Sequence, residues 1–184
     1  ALLKISGENY PVLPLADSKG EQIGDPIHIL GFPGVVLQHE LLDASASMEA
    51  SVTNGAISGF KQDKTGSPVI QTDAPAAWGN SGGPAVDDRG AVVGGLTVVS
   101  LAPGPEGSIV QGFNFIIPSQ GVKDFVAGTP VRVGEPGRFD PVWFAGLRAF
   151  FGDDYKGAVQ RFEEADRLLP NLPDVKRMLG EACE

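Results

Sequence analysis

Short apolar runs alternate with clusters of Gly, Pro, Asp and Ser along the first two thirds of the chain. This rhythm predicts strands over Leu2–Ile5, Pro11–Pro14, Pro26–Gly31, Ala50–Phe60, Pro68–Thr72, Ala91–Val99 and Gly112–Ile117. Turn chemistry separates them at Ser18-Lys19-Gly20, Asp63-Lys64-Thr65-Gly66, Asp87-Asp88-Arg89-Gly90 and Pro103-Gly104-Pro105. Ala91–Val99 is apolar on both faces, so part of it is expected to be buried. Many short strands joined by such turns imply a sandwich or a barrel. Pro118 and Ser119 then open a short helix over Gln120–Ala127, which Gly128 ends.

From Asp140 the period changes. Apolar residues recur at helical spacing and β-branched residues thin out. Asp140 is the expected N-cap, with Pro141 at the first helical position and the helix running to about Phe151. Gly152-Asp153-Asp154 makes a turn, a second helix runs from Tyr155 to Leu169 and stops at Pro170, and a third begins near Asp174. The Gly- and Pro-rich stretch 129–138 reads as a linker between a β unit over 1–128 and a helical one over 139–184.

Composition narrows the function. In 184 residues, 42% hydrophobic and 20% charged, there is enough apolar material for a real core. The formal net charge of -9 repels phosphate backbones, so no nucleic-acid partner is expected. No run reaches the roughly 18 apolar residues of a membrane span, and no basic-then-apolar leader opens the chain. Ala1-Leu2-Leu3-Lys4-Ile5 reads instead as mid-strand, which places the expected true N-terminus upstream. The single cysteine, Cys183, excludes an intrachain disulfide and has no nucleophile context. No metal and no cofactor is expected.

The most informative stretch is Gly79-Asn80-Ser81-Gly82-Gly83-Pro84. Acyl transfer needs a serine oxygen held proud of the surface, and two backbone N–H groups converging where the oxyanion forms. A sharp glycine-rich turn supplies both, because glycine permits positive φ and close substrate approach. The string also satisfies G-x-S-x-G, the elbow of α/β-hydrolases, but an elbow runs strand, turn, helix. Here Pro84-Ala85-Val86, a turn and another strand follow, so the order is strand, turn, strand.

These residues resemble the nucleophile region of trypsin-like serine peptidases of the HtrA-like (Deg) branch, beginning at Gln71-Thr72-Asp73-Ala74 and running through Val86. Three further stretches agree in the same order: Ile23-Gly24-Asp25-Pro26 through Gly31-Phe32-Pro33-Gly34, Val52–Ser58, and Gly112–Ser119. The resemblance implies a mainly β chain, with the antiparallel six-stranded C-terminal barrel of the chymotrypsin-type fold. It implies Ser81 as nucleophile, the N–H groups of Gly79 and Ser81 as oxyanion hole with Asn80 forming the turn, and Phe113, Asn114 and Phe115 as an edge strand pairing with substrate backbone. Asn80 stands where the digestive branch has Asp, which argues against activation by N-terminal insertion. Pro75, six residues before Ser81, together with Ala76 and Phe115, would line a pocket for a small or aliphatic P1 side chain.

A serine nucleophile needs a base, and the base an orienting carboxylate. The histidines, His28 in an apolar strand and His39 at a loop or strand end, match neither family position and read as structural. Asp73 matches a structural position of the family. The resemblance puts the base far upstream and the carboxylate about two residues before Ala1.

With Phe139 as position one, the tail places Gly146 at eight, Ala158 at twenty, Phe162 at twenty-four, Ala165 at twenty-seven and Pro170 at thirty-two. This resembles the 34-residue tetratricopeptide repeat, with a second repeat starting at Pro173; an unrelated amphipathic hairpin is the alternative. One repeat cannot bury its own apolar face, so a protein partner or self-association through it is expected. The expected function is that of a fragment of an endopeptidase acting on peptide or protein substrates, exported by family resemblance and inactive alone. The alternative is a catalytically dead, peptidase-like scaffold.

Overall fold

A computed structural model describes residues 2–3, 5–47, 49–101, 109–130 and 137–183. The turn expected at Pro103-Gly104-Pro105 and residues 131–136 of the linker lie outside these. The chain divides into two compact units, one of residues 13–133 and one combining 1–12 with 134–184.

In the first unit, strands β1 (Pro26–Gly31), β2 (Ser51–Gln62), β3 (Pro68–Thr72), β4 (Pro84–Val86), β5 (Val92–Leu101) and β6 (Ile109–Pro118) close into an antiparallel barrel in the order β1-β2-β3-β6-β5-β4. Two-residue alternation decides what fills it. Ile27 and Ile29 of β1, Ile70 of β3, Leu96 of β5 and Ile116 of β6 point inward and are almost completely buried, with Ala16, Ile57, Ala74, Ala76, Ala85 and Val93 between them. Each buried isoleucine contributes about 1.5–3 kcal/mol. A short helix, α1 (Gly34–Leu37), and a 3-10 turn at Ala44–Ser47 fill the β1–β2 connection, which the strand pattern does not foretell. Helix α2 (Ser119–Val126) is moored by Ser119 Oγ and Lys123 Nζ, which donate to the Ala16 carbonyl at 2.9 and 2.8 Å.

β1 and β3 have their expected bounds; β2 and β5 begin one residue later and end two later, and β6 extends past its expected bounds at both ends. Leu2–Ile5 and Pro11–Pro14 are corrections. Leu2, Leu3 and Ile5 form no ladder and are exposed. Pro11 and Pro14 have no N–H to give, and among the described residues this stretch reaches the sheet through one isolated bridge, Leu15 with Val92.

The second unit holds α3 (Phe139–Phe151), α4 (Tyr155–Leu168) and α5 (Pro173–Cys183) around Phe139, Ala158, Phe162, Ala165, Val175, Met178 and Ala182. Gly146 lets α3 approach α4, because a methyl there would overlap the Phe162 ring. Asp154 caps α4 by accepting from Gly157 N at 3.0 Å. Asp140 is not the N-cap of α3. Arg138 takes that position, while Asp140 lies in the first turn, buried, and its Oδ2 accepts from Val12 N at 3.3 Å. The carboxylate serves the N-terminal segment instead of its own helix end. Among the described residues no helix is long and apolar enough to cross a membrane.

Candidate active site

The approach to Ser81 is tied down residue by residue. Thr72 Oγ1 donates to the Ala56 carbonyl at 2.8 Å and accepts from Ala74 N. Asp73 Oδ1 accepts from Ala56 N at 2.7 Å, which gives this carboxylate a structural task. The Ala74 carbonyl accepts from Asn114 Nδ2 at 2.8 Å, and the Pro75 carbonyl from Thr53 Oγ1 at 2.7 Å. A segment with so many fixed partners delivers the following turn in one geometry.

The bend itself runs between β3 and β4, so the order is strand, turn, strand, as the sequence implies. Gly79 has φ 103° and Gly82 φ 88°, both in the region that favours glycine. A methyl on Gly79 would overlap the Phe32 carbonyl oxygen, and one on Gly83 the Leu30 carbonyl oxygen. Backbone therefore packs on backbone beneath the turn. Its far side is stitched to β5: Gly82 N donates to Leu96 O at 2.7 Å and Leu96 N to Gly83 O at 3.0 Å.

Ser81 is exposed at the tip, while Asn80 is buried and points into the protein. Asn80 N donates to the Ala77 carbonyl at 3.1 Å. Among the described residues the amides on either side, of Gly79 and Ser81, have no hydrogen-bond acceptor. No histidine or carboxylate among those residues bonds to Ser81. His28 is engaged elsewhere, its Nδ1 2.7 Å from Asn54 Oδ1 and its Nε2 2.8 Å from Asp88 Oδ1. The Asn54 and Asp88 contacts raise its pKa above the ordinary histidine value. His39 accepts from Leu41 N in the β1–β2 connection. Asp87, next to Asp88 in this clasp of His28 with Asn54 and Asp88, is pushed up by burial, but bonds from Ala91 and Arg89 outweigh that and hold it below the usual carboxylate range.

The residues expected to meet substrate are not brought together. Asn114 and Phe115 pair with Thr72 and Gln71 of β3 on one side and with Val99 and Val98 of β5 on the other. Asn114 and Phe115 are therefore interior to the sheet, which corrects the edge-strand expectation for these two residues. Pleat alternation turns Phe113 and Phe115 outward and Asn114 inward, fully buried. Phe115 lines an outer hollow with Val69, Gln71, Thr97 and Ile117, whereas Ala76 packs in the barrel core and Pro75 is exposed. Phe115 thus faces away from the core that holds Ala76. Sequence reasoning passed over Phe32 and Gly34, which back the turn with main-chain atoms. Their only sequence mark is the turn Gly31-Phe32-Pro33-Gly34.

A closed antiparallel barrel with an exposed serine on a glycine-rich bend, backed by two strands, defines a barrel of the trypsin-like class. The family model for the trypsin-like peptidase domain matches residues 1–94, and the chain belongs to that family. It is 31% identical over 183 residues to the serine endoprotease DegS of Haemophilus influenzae, covering 96% of this chain and 46% of that protein. With a probable periplasmic serine endoprotease, DegP-like, of Pseudomonas putida it shares 35% identity over 97 residues, 51% of this chain and 18% of that one. The solved structure of the HtrA-type protease AlgW with decapeptide aligns with TM-score 0.53 and 31% identity, over 67% of this chain and 34% of that chain. The chain spans less than half the length of these relatives.

Proposed function

We propose that this chain is the nucleophile-bearing part of a serine endopeptidase that hydrolyses peptide bonds in peptide or protein substrates. The observation that carries the reading is the bend at Ser81, where the serine is exposed and the amides of Gly79 and Ser81 have no acceptor among the described residues. Ser81 Oγ attacks the scissile carbonyl carbon. The N–H groups of Gly79 and Ser81 bind the resulting oxyanion, and Asn80 holds the turn that presents them. The base that takes the Ser81 proton, and the carboxylate that orients it, belong to the upstream barrel of the whole protein, so the 184-residue segment alone is inactive. Pro75 is the candidate wall of a P1 site for small or aliphatic side chains. Phe113 and Phe115 contribute outer apolar surface to substrate, and Asn114 supports the segment beneath it.

The tail is proposed as a tetratricopeptide-like repeat that docks a protein partner or a second copy. The close approach of Gly146 and Phe162, at positions eight and twenty-four, supports this, as does the burial of Ala158 and Ala165.

The test is fluorophosphonate labelling of the full-length, folded protein. Ser81 is expected to be modified, and Ser81→Ala to abolish labelling. An unlabelled full-length protein would sink the proposal and favour the scaffold reading, which the lack of any base beside Ser81 among the described residues otherwise keeps open. A histidine and an aspartate at the family positions upstream support the enzyme; their absence supports the scaffold.

A further inference from the structure

The peptide unit joining Trp78 to Gly79 has one end held and one end free. Its carbonyl, that of Trp78, accepts from Gly34 N at 2.7 Å. Its N–H, that of Gly79, has no acceptor among the described residues. Among the described residues no peptide bond is cis, so the two groups point in opposite directions along one rigid plane. Whatever holds the carbonyl therefore aims the N–H. A side chain on Gly79 would overlap the Phe32 carbonyl, so main chain crowds this side of the peptide unit.

Gly34 is suited to this task. It is the first residue of α1, so its N–H has no acceptor within the helix and is available to a neighbour. Pro33 before it is extended, with φ -65° and ψ 130°, which fixes the direction of that N–H.

We propose that Gly34 is a positioning residue for acyl transfer: its backbone N–H pins the Trp78 carbonyl and thereby points the Gly79 N–H at the oxyanion. The inference rests on the roles given to Ser81 and Gly79 above and adds a control point outside the nucleophile motif. The main-chain segment Phe32–Gly34, on the other side of the barrel sequence, sets the orientation of the oxyanion donor.

Gly34→Pro removes this hydrogen and sets ring Cδ against the Trp78 carbonyl in its place, so the ring-free α-hydroxy acid at position 34 is the cleaner deletion. Gly34→Pro deletes the N–H at a position where a helix accepts proline, after a residue already in the conformation proline requires. Gly34→Ala keeps the N–H, and its methyl would stand 3.4 Å from the Trp78 carbonyl oxygen. In the full-length protein, Gly34→Pro is expected to lower kcat, and Ser81 acylation by a fluorophosphonate, by about 10²–10³-fold, the loss typical of one oxyanion donor. KM stays within about threefold, because the interaction forms only as charge develops, and Gly34→Ala restores wild-type rates within a similar margin. Should Gly34→Pro fail to fold, an α-hydroxy acid at position 34 removes the same hydrogen without a ring and is read in the same assays. Wild-type rates in either hydrogen-deleted protein, with wild type labelled at Ser81, would overturn the positioning role and leave the peptidase reading intact. A full-length wild type unlabelled at Ser81 would overturn both.

Discussion

Gly79 and Asn114 show how much single residues contribute around the bend. At Gly79 an added methyl meets both a positive φ and the Phe32 carbonyl. Gly79→Ala is expected to cost about 1–3 kcal/mol of barrel stability, read as a lower unfolding midpoint in urea, and to abolish Ser81 labelling. Asn114 Nδ2 satisfies the carbonyl of Ala74, a residue with no exposed surface, while its own Oδ1 is buried without a partner. Asn114→Ala strands that carbonyl and should destabilise by about 1–3 kcal/mol; a midpoint within error of wild type would refute the support assigned to it. At this scale the sequence was legible where chemistry demands a fixed string, from Gly79 to Pro84. It was not legible for Phe113–Phe115, because spacing from Ser81 says nothing of pleat parity. Phe115 is expected beside Pro75, yet the alternation that buries Asn114 turns Phe115 to the opposite face.

Elements are held together by contacts that respond to pH and to volume. His28 on β1 joins Asn54 on β2 and Asp88 in the β4–β5 turn, with Asp87 also nearby. Its raised pKa means the folded chain binds this proton more tightly than the unfolded one. The clasp thus contributes fully below the unfolded value of about 6.5 and fades as pH rises through the higher folded value. Stability referred to Asp88→Asn should therefore shrink as pH rises above the unfolded histidine value; a pH-independent difference would exclude the clasp. In the helical unit, Gly146→Val drives a side chain into the Phe162 ring and should cost about 1–3 kcal/mol, followed by loss of helical circular dichroism on heating. Strands and helices with clear periodicity, such as Pro26–Gly31, Pro68–Thr72 and Tyr155–Leu168, were legible almost to the residue. Leu2–Ile5 misled because apolar alternation makes a strand only where a ladder partner exists. Asp140 misled because a distant backbone amide, Val12 N, competes for the same carboxylate as the local cap.

For the whole molecule, the 184 residues expressed alone are expected to give no fluorophosphonate adduct at Ser81. An adduct would show that a base within this segment reaches it. The barrel class was legible from the spacing of turns. Its closure in the order β1-β2-β3-β6-β5-β4 was implied by the family and not by periodicity, since pairing partners are set by three-dimensional packing. Because the helical unit is assembled from residues 1–12 and 134–184, with Val12 N on Asp140, the barrel is topologically an insert between two halves of its host. A single cut near residue 133 would orphan the opening segment from its helices. Clean dissection of this protein calls for excising the insert and rejoining the flanks with a short bridge.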